Sequence, residues 1–529
     1  MAKRGKSSAE VKGYKHEEAE VLLRPDVGTQ AQFRKKKPPA KYRYDSSLSP
    51  ALDWDGQNSA RERGEALIRE ILEADSIEKA KAAAAQLESI SRPFLNWAGK
   101  AERLSFDVPT LPLFVHERLS TKAILETLKG HRREKQESLF DLFSDPQHSI
   151  TDQVLRAYEH RDKWVNRMIL GDSLVVMNSL LHYEGLGGQV QMIYIDPPYG
   201  VKFGSNFQPF VRKRDVSHND DEDMTREPEM VQAYRDTWEL GLHSYLTYLR
   251  DRLLLARELL RPEGSVFVQI GDENLHHVRE LLDDLFGGQN FISLVTFQKT
   301  TGQTSELLPG VSDYLLWYGR DRERTKFRQL YSAKTVGGEA TGEYVWVRLP
   351  DGTERILTSE ERREPLLIPE GGRVFRQDSM VSQGYRENTT VVYSFRGKEH
   401  YPGPTNNWKT TPKGLDRLAA DDRLVSSGRI LKYKRFIDDF PVFPVANTWT
   451  DTTTGGSSTD PRVYVVQTVA RVIQRALLMT TDPGDLVVDP TCGSGTTAYV
   501  AEQWGRRWIA IDTSRVPLAL ARQRLLTAT

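Results

Sequence analysis

The chain has 529 residues, too many for one ordinary domain; the length suits about three or four units, or one large domain with extensions. Lys+Arg and Asp+Glu are equal at 73 each, so net charge says nothing about nucleic acid and only local clustering can. The single cysteine, Cys492, excludes an intrachain disulfide and a thiolate metal cluster and fits a reducing cytoplasm, and no apolar run approaches the ~18 residues of a membrane span.

Residues 1–60 form a polar arm containing the basic run FRKKKPPAKYRYD (33–45), either a solvated tail or an arm that touches nucleic acid or a partner. The charged N-terminus has no apolar core behind it, so it does not read as a secretory signal. Apolar spacing predicts two helices within 61–91, and further helices are expected over 116–164, broken near Pro146. Residues 61–164 therefore read as a helical extension for oligomerisation or DNA contact. From 165 to 319 strands alternate with helices. RMILGDS (167–173) is a strand ending at Gly171-Asp172, with Ser173 placed to cap a helix through 181. VQMIYI (190–195) is a buried-type strand, 244–264 an amphipathic helix closed by Pro and Gly, and 265–274 a strand. A helix at 275–286 and strands at 290–297 and 313–319 follow. This is the pattern of an α/β fold, a doubly wound and mostly parallel sheet. Residues 320–447 break the rhythm and read as an inserted, partly β module. The alternation returns over 448–529, with helices at 462–480, 495–504 and 514–526 around strands at 485–488 and 507–511.

Two stretches carry the chemistry. DLVVDPTCGSGTTAYVAEQWGRRWIAIDTS (485–514) places Gly493-Ser494-Gly495 between two strands, and ligands of open α/β sheets bind outside the carboxyl ends of strands. A phosphate-binding loop would need a lysine where Thr496 stands; a dinucleotide fingerprint is met formally by Gly493, Gly495, Ala498 and Asp512; a plain strand–helix turn is the third reading. IYIDPPYG (193–200) separates them. Hydride transfer has no use for Asp196-Pro197-Pro198-Tyr199, whereas methylation of an exocyclic amine does. The lone pair of such a nitrogen is delocalised into the base. The Asp196 carboxylate and the Pro197 carbonyl both accept hydrogen bonds and can draw the NH2 group towards tetrahedral geometry. Proline fixes φ and removes a competing N–H donor. Tyr199 offers a face for a base extruded from the duplex.

These residues resemble the β class of S-adenosylmethionine-dependent amino-methyltransferases, with the catalytic motif ahead of the donor motif as in a circular permutation. DPPY matches the catalytic motif, and DPTCGSGTT closely matches the donor motif usually written DPFCGSGTT. ILGDS (169–173) resembles the cofactor-adenine motif. Segments 266–299 and 312–323 look most like modification subunits of type III restriction systems. The resemblance spans about 165–529 and implies S-adenosyl-L-methionine as cofactor, double-stranded DNA as substrate, a homodimer, and a restriction (helicase–nuclease) subunit as partner. It implies that Asp489, Pro490, Thr491, Gly493, Ser494, Gly495 and Thr496 surround the methionine part of the donor. Asp512 then takes the ribose hydroxyls, Asp172 lies near the donor adenine, and Gln467 precedes the helix before the donor motif. Two positions depart from the pattern. The aromatic residue after Asp-Pro is Thr491, and the usual Thr-Gln-Lys-Pro is VVQTVA, keeping Gln467 without the Lys-Pro. Catalysis on this reading is positioning for in-line transfer, without a metal. Cys492 lacks a partnering His or Glu motif and reads as a small packed residue.

The resemblance also implies that 320–447 recognises the target. Region 408–435 has eight Lys/Arg against three Asp, so Trp408, Lys409, Lys413, Lys432, Lys434 and Arg435 are candidate DNA contacts. The segment 201–227 is expected to be a mobile loop whose Lys202, Arg212, Lys213 and Arg214 grip phosphate. An aspartate at the first catalytic position favours adenine N6. Cytosine N4 is the nearest alternative, and a catalytically silent DNA-binding subunit is the alternative from another class.

Overall fold

The computed structural model describes residues 12–15, 39–43, 59–74, 76–90, 97, 105–111, 115–119, 156–159, 164–198, 241–300, 302, 307–338, 341–428, 430–453 and 467–527. The chain divides into two compact units, one of residues 1–328 and 447–529 and one of Gln329–Ala446. Residues 320–328 and Asn447 thus belong to the first unit.

The first unit is built on a nine-stranded sheet. Its strands are β1 (Val115–Leu119), β2 (Asn166–Leu170), β3 (Val190–Ile195), β4 (Leu260–Ile270), β5 (Phe291–Gln298), β6 (Ser312–Gly319), β7 (Thr448–Trp449), β8 (Leu486–Asp489) and β9 (Arg507–Asp512). They lie in the order β7-β5-β6-β4-β3-β8-β9-β2-β1. The five central strands, β4 to β2, are mutually parallel. β6 runs antiparallel to both β4 and β5, and β1 runs antiparallel to β2. All six residues of β3 and all four of β8 are buried, as strands covered on both faces require. The helices are α1 (Ser173–His182), α2 (Leu242–Leu259), α3 (Leu275–Phe286), α4 (Ala470–Thr480), α5 (Thr496–Gln503) and α6 (Arg515–Thr527). The main core joins Ile193 and Ile195 of β3 and Val488 of β8 with Leu246, Leu249 and Leu253 of α2.

The connections set the site. β3 leads through α2 to β4 on one side, and β8 leads through α5 to β9 on the other. The winding therefore reverses between β3 and β8, the place where open α/β sheets bind ligands.

Several elements differ from their sequence expectation. Residues 115–119 and 156–159 are strands, not helices: β1 completes the sheet edge beside β2, and Arg156–Glu159 pairs in parallel with Lys12–Lys15. Long-range pairing overrides local propensity there. The rest of 116–155 lies outside the described residues. Part of the basic arm is a strand: Ala40–Arg43 pairs with Ser105–Val108, and the Tyr42 ring stacks on Phe106 at 5.6 Å. The Tyr42 hydroxyl donates to Asn178 Oδ1 on α1 at 2.6 Å. α2 ends at Leu259, and Pro262 and Gly264 lie in β4. Its pairing with β3 is irregular between Val190 and Met192, which leaves room for a proline. Asp172, not Ser173, caps α1, accepting from the Leu174 N–H at 3.0 Å. α4 starts at Ala470 rather than 462.

The second unit carries a five-stranded antiparallel sheet in the order Glu354–Ile356, Trp346–Arg348, Arg373–Ser379, Ile430–Phe436, Leu424–Ser427. A helix, Pro412–Ala420, is capped by Thr411 and buries Leu415 with Trp408, Tyr393 and Phe395. Among the described residues of the chain no helix is long and apolar enough to cross a membrane.

Candidate active site

Sheet register brings the strand-ending acids to one edge. Val488 pairs with Ile193, Asp489 with Ala510, and Asp512 with Leu170, so Asp196, Asp489, Asp512 and Asp172 all stand at the carboxyl ends of adjacent parallel strands. Two motifs far apart in sequence thus share one crevice.

The turn from β8 to α5 explains its glycines. Gly493 has φ 49° and Gly495 has φ 73°, left-handed values that a side chain adopts at a cost. A Cβ on Gly495 would also come within 2.5 Å of Ala521 Cβ on α6. Gly493 N–H donates to Asp512 Oδ2 at 2.9 Å, and Ser514 N–H donates to Asp512 Oδ1 at 2.9 Å. The Asp512 carboxylate is therefore oriented by backbone donors while its other lone pairs can accept from ligand hydroxyls. Ser494 and Thr496 hydroxyls lie 3.0 Å apart, and buried Arg524 donates to Thr496 Oγ1 at 2.8 Å. Asp489 is buried, which pushes its carboxyl up to about 6, against hydrogen bonds from Thr491. Pro490 is buried beside it. Burial, then Asp489 and Asp512, push the Cys492 thiol well up, consistent with a packed thiol rather than a nucleophile.

Asp196 sits half-buried past the end of β3, with Pro197 buried behind it and Pro198 half-buried. Its N–H donates to Thr491 Oγ1 at 2.9 Å, and Thr491 N–H donates to Asp489 Oδ1 at 2.9 Å. Its Oδ2 accepts from the Thr468 hydroxyl at 2.9 Å. Gln269 Nε2 on β4 donates to Thr468 Oγ1 at 2.9 Å, and the Tyr194 hydroxyl donates to Gln269 Oε1 at 2.6 Å. Burial raises Tyr245 of α2 well above the usual tyrosine range, and the charges of Tyr248 and Asp196 raise it further. Gln467, half-buried, adjoins Thr468.

At the far end of the crevice Asp172 forms an ion pair with Arg252 of α2. Arg252 Nε donates to Ser173 Oγ at 2.8 Å, and its guanidinium lies 3.5 Å from the Tyr248 ring centroid. Thr468, Gln269, Tyr194, Arg252 and Arg524 are absent from the sequence reading. Each belongs to a helix, strand or segment whose neighbours only the tertiary fold supplies.

The other candidates fare differently. Tyr199, Lys202, Arg212, Lys213 and Arg214 lie outside the described residues. Trp408 is buried in the second unit, its Nε1 donating to the Val391 carbonyl at 2.9 Å, so it is a core residue and presents no face to a base. Lys434 is also buried, 2.7 Å from Glu354 and 3.4 Å from Asp422, so its charge is already matched. Arg435 stands 3.9 Å from Asp378. Lys409 and Lys413 are exposed and Lys432 is half-buried.

Residues 190–523, well over half of the chain, match the family model described as DNA methylase, which covers N6 and N4 enzymes. The type II methyltransferase M.EcaI of Enterobacter cloacae is 26% identical over 359 residues, 66% of this chain and 67% of the relative. The type III restriction-modification enzyme EcoP15I Mod subunit of Escherichia coli is 22% identical over 327 residues, 55% of this chain and 47% of the relative. The chain thus spans about two thirds of one relative and half of the other. The solved M1.HpyAVI–SAM complex is 11% identical, with a TM-score of 0.32, over 68% of this chain and 98% of that one.

Proposed function

Because the chain belongs to the N6/N4 DNA methylase family, we propose that it methylates the N6 amino group of adenine in a base extruded from double-stranded DNA. The observation that carries the methyl-transfer reading is the bridge Asp196–Thr491–Asp489, which ties the amine-accepting motif to the donor turn across the switch point; the choice of adenine rests on the aspartate at the first catalytic position.

The residues fit a cationic nucleoside donor. A buried carboxyl at Asp489, unfavourable to ionise alone, gains from a nearby positive charge. Asp512 is oriented to accept hydroxyls, and the glycines open the turn for close approach. Asp489, Gly493, Ser494, Gly495 and Thr496 would hold the methionine part, with Asp512 on the ribose and Asp172 near the adenine. When bound there, S-adenosyl-L-methionine supplies an electrophilic methyl group on a sulfonium. The chain does the rest by placement. The Asp196 carboxylate and the Pro197 carbonyl accept both hydrogens of the target amine, localising the nitrogen lone pair along the line of transfer. Asp196 also stabilises the positive charge that develops on that nitrogen. Tyr199 stacks on the extruded base.

We assign the chain to the modification side of a restriction-modification or related defence system in the cytoplasm. It works there as a homodimer with a restriction (helicase–nuclease) subunit as partner. The test is Asp196→Ala in the full chain, assayed with labelled donor on unmodified DNA. Methyl transfer should fall at least about a thousandfold, while donor binding persists. Transfer at the wild-type rate would overturn the assignment of the chemistry.

A further inference from the structure

The two departures from the family pattern converge on one residue. In the resemblance drawn from the sequence, Thr491 stands in place of an aromatic residue, and Thr468, after Gln467, in place of a lysine. Thr491 Oγ1 accepts the Asp196 N–H, and Thr468 Oγ1 lies 2.9 Å from Asp196 Oδ2. We propose that these two threonines form a hydroxyl clamp that positions Asp196 for methyl transfer. The proposal rests on the role given to Asp196 above.

The hydrogen bonds have a definite direction. A hydroxyl carries one hydrogen. The Tyr194 hydroxyl donates to Gln269 Oε1, which turns Gln269 Nε2 towards Thr468. Thr468 Oγ1 accepts that N–H and gives its own hydrogen to Asp196 Oδ2. Gln269 Oε1, at 3.1 Å, is the competing acceptor for that hydrogen, but Tyr194 already serves it at 2.6 Å. The relay thus runs from the buried face of β3, through β4 and the approach to α4, to the catalytic carboxylate. Asp196 needs such support. Two prolines follow it, so the next two residues offer the sheet no N–H and the strand ladder ends there. Thr491 fixes the backbone at that end, and its own N–H ties the same point to Asp489. Amine acceptor and donor turn are thereby held in one register. A hydroxyl at 468 also supplies its hydrogen bond without a charge. A lysine would put a second cation near a nitrogen that becomes positive as the methyl group arrives.

The clamp predicts different kinetics for its two arms. Thr468 touches the acceptor side only, so Thr468→Val should lower kcat about ten- to a hundredfold and leave the donor KM unchanged. Thr491 bridges both sides, so Thr491→Val should lower kcat and raise the donor KM. Thr468→Ser and Thr491→Ser, which keep the hydroxyl, should restore most of the loss. If the wild type methylates DNA, Asp196→Ala does not, and both valine variants keep wild-type kcat, the clamp is refuted while the function stands. If the wild type itself transfers no methyl group, the function fails instead. The clamp is then judged by a thermal-unfolding cycle between Thr468→Val and Asp196→Ala, where non-additive Tm shifts support it and additive shifts refute it.

Discussion

Buried Asp489 makes donor binding a proton-linked event. Burial raises the Asp489 carboxyl to about 6, so the free protein keeps it neutral only below that pH; this group adds stability that is full below pH 3.8 and is lost as the pH rises through 6. A cationic donor favours the ionised form. Binding near pH 6, where the free carboxyl is half protonated, should therefore release up to about half a proton per chain, and affinity should weaken as the pH falls below 6. Calorimetric titration at pH 6 in two buffers of different ionisation enthalpy reads the release directly; equal heats after buffer correction for zero protons would contradict it. Asp196 and Asp489 were legible in the sequence because each ends an apolar run and is followed by residues that break a strand. Thr468 and Gln269 were not, since nothing local says which distant carboxylate a threonine will meet.

Among the elements, the β8–α5 turn is the most tightly specified. Gly495→Ala combines a left-handed φ with a contact at 2.5 Å to α6, and should destabilise the protein by about 2–4 kcal/mol. Gly185 has φ 64° but nothing within 4 Å of an added Cβ, so Gly185→Ala should cost only about 1 kcal/mol. Chemical denaturation of the two variants separates strain from packing; equal losses would mean that α6 does not constrain the turn. The strands β2, β3, β8 and β9 could be read from their short apolar runs, because strands buried on both faces are largely apolar, even though β2 and β9 open on buried Asn166, Arg167 and Arg507. β1 and the start of β4 could not. β1 is held by pairing with β2, and β4 begins through Pro262 and Gly264, which read locally as a helix stop.

At the scale of the whole chain, the interval between the two motifs holds a unit with its own core. Trp408 is buried in it, so Trp408→Ala should lower the stability of that unit by about 3–5 kcal/mol rather than change base contacts alone. Exposed Lys409 and Lys413 are the better candidates for phosphate. Their alanine variants should weaken DNA binding evenly across sequences and reduce the slope of log affinity against log salt by about 1 each. A sequence-selective loss would contradict that. The insert itself was legible as a break in the α/β rhythm. Which basic residues face outward was not, because a mixed strand such as ILKYKRF buries Lys434 beside Glu354. The central claim is the chemistry at Asp196. Its most direct test is incubation of the full chain with labelled S-adenosyl-L-methionine and unmodified genomic DNA, followed by nucleoside mass spectrometry. The account predicts label in N6-methyladenine; label in N4-methylcytosine would contradict the base, and no label in DNA would contradict the activity.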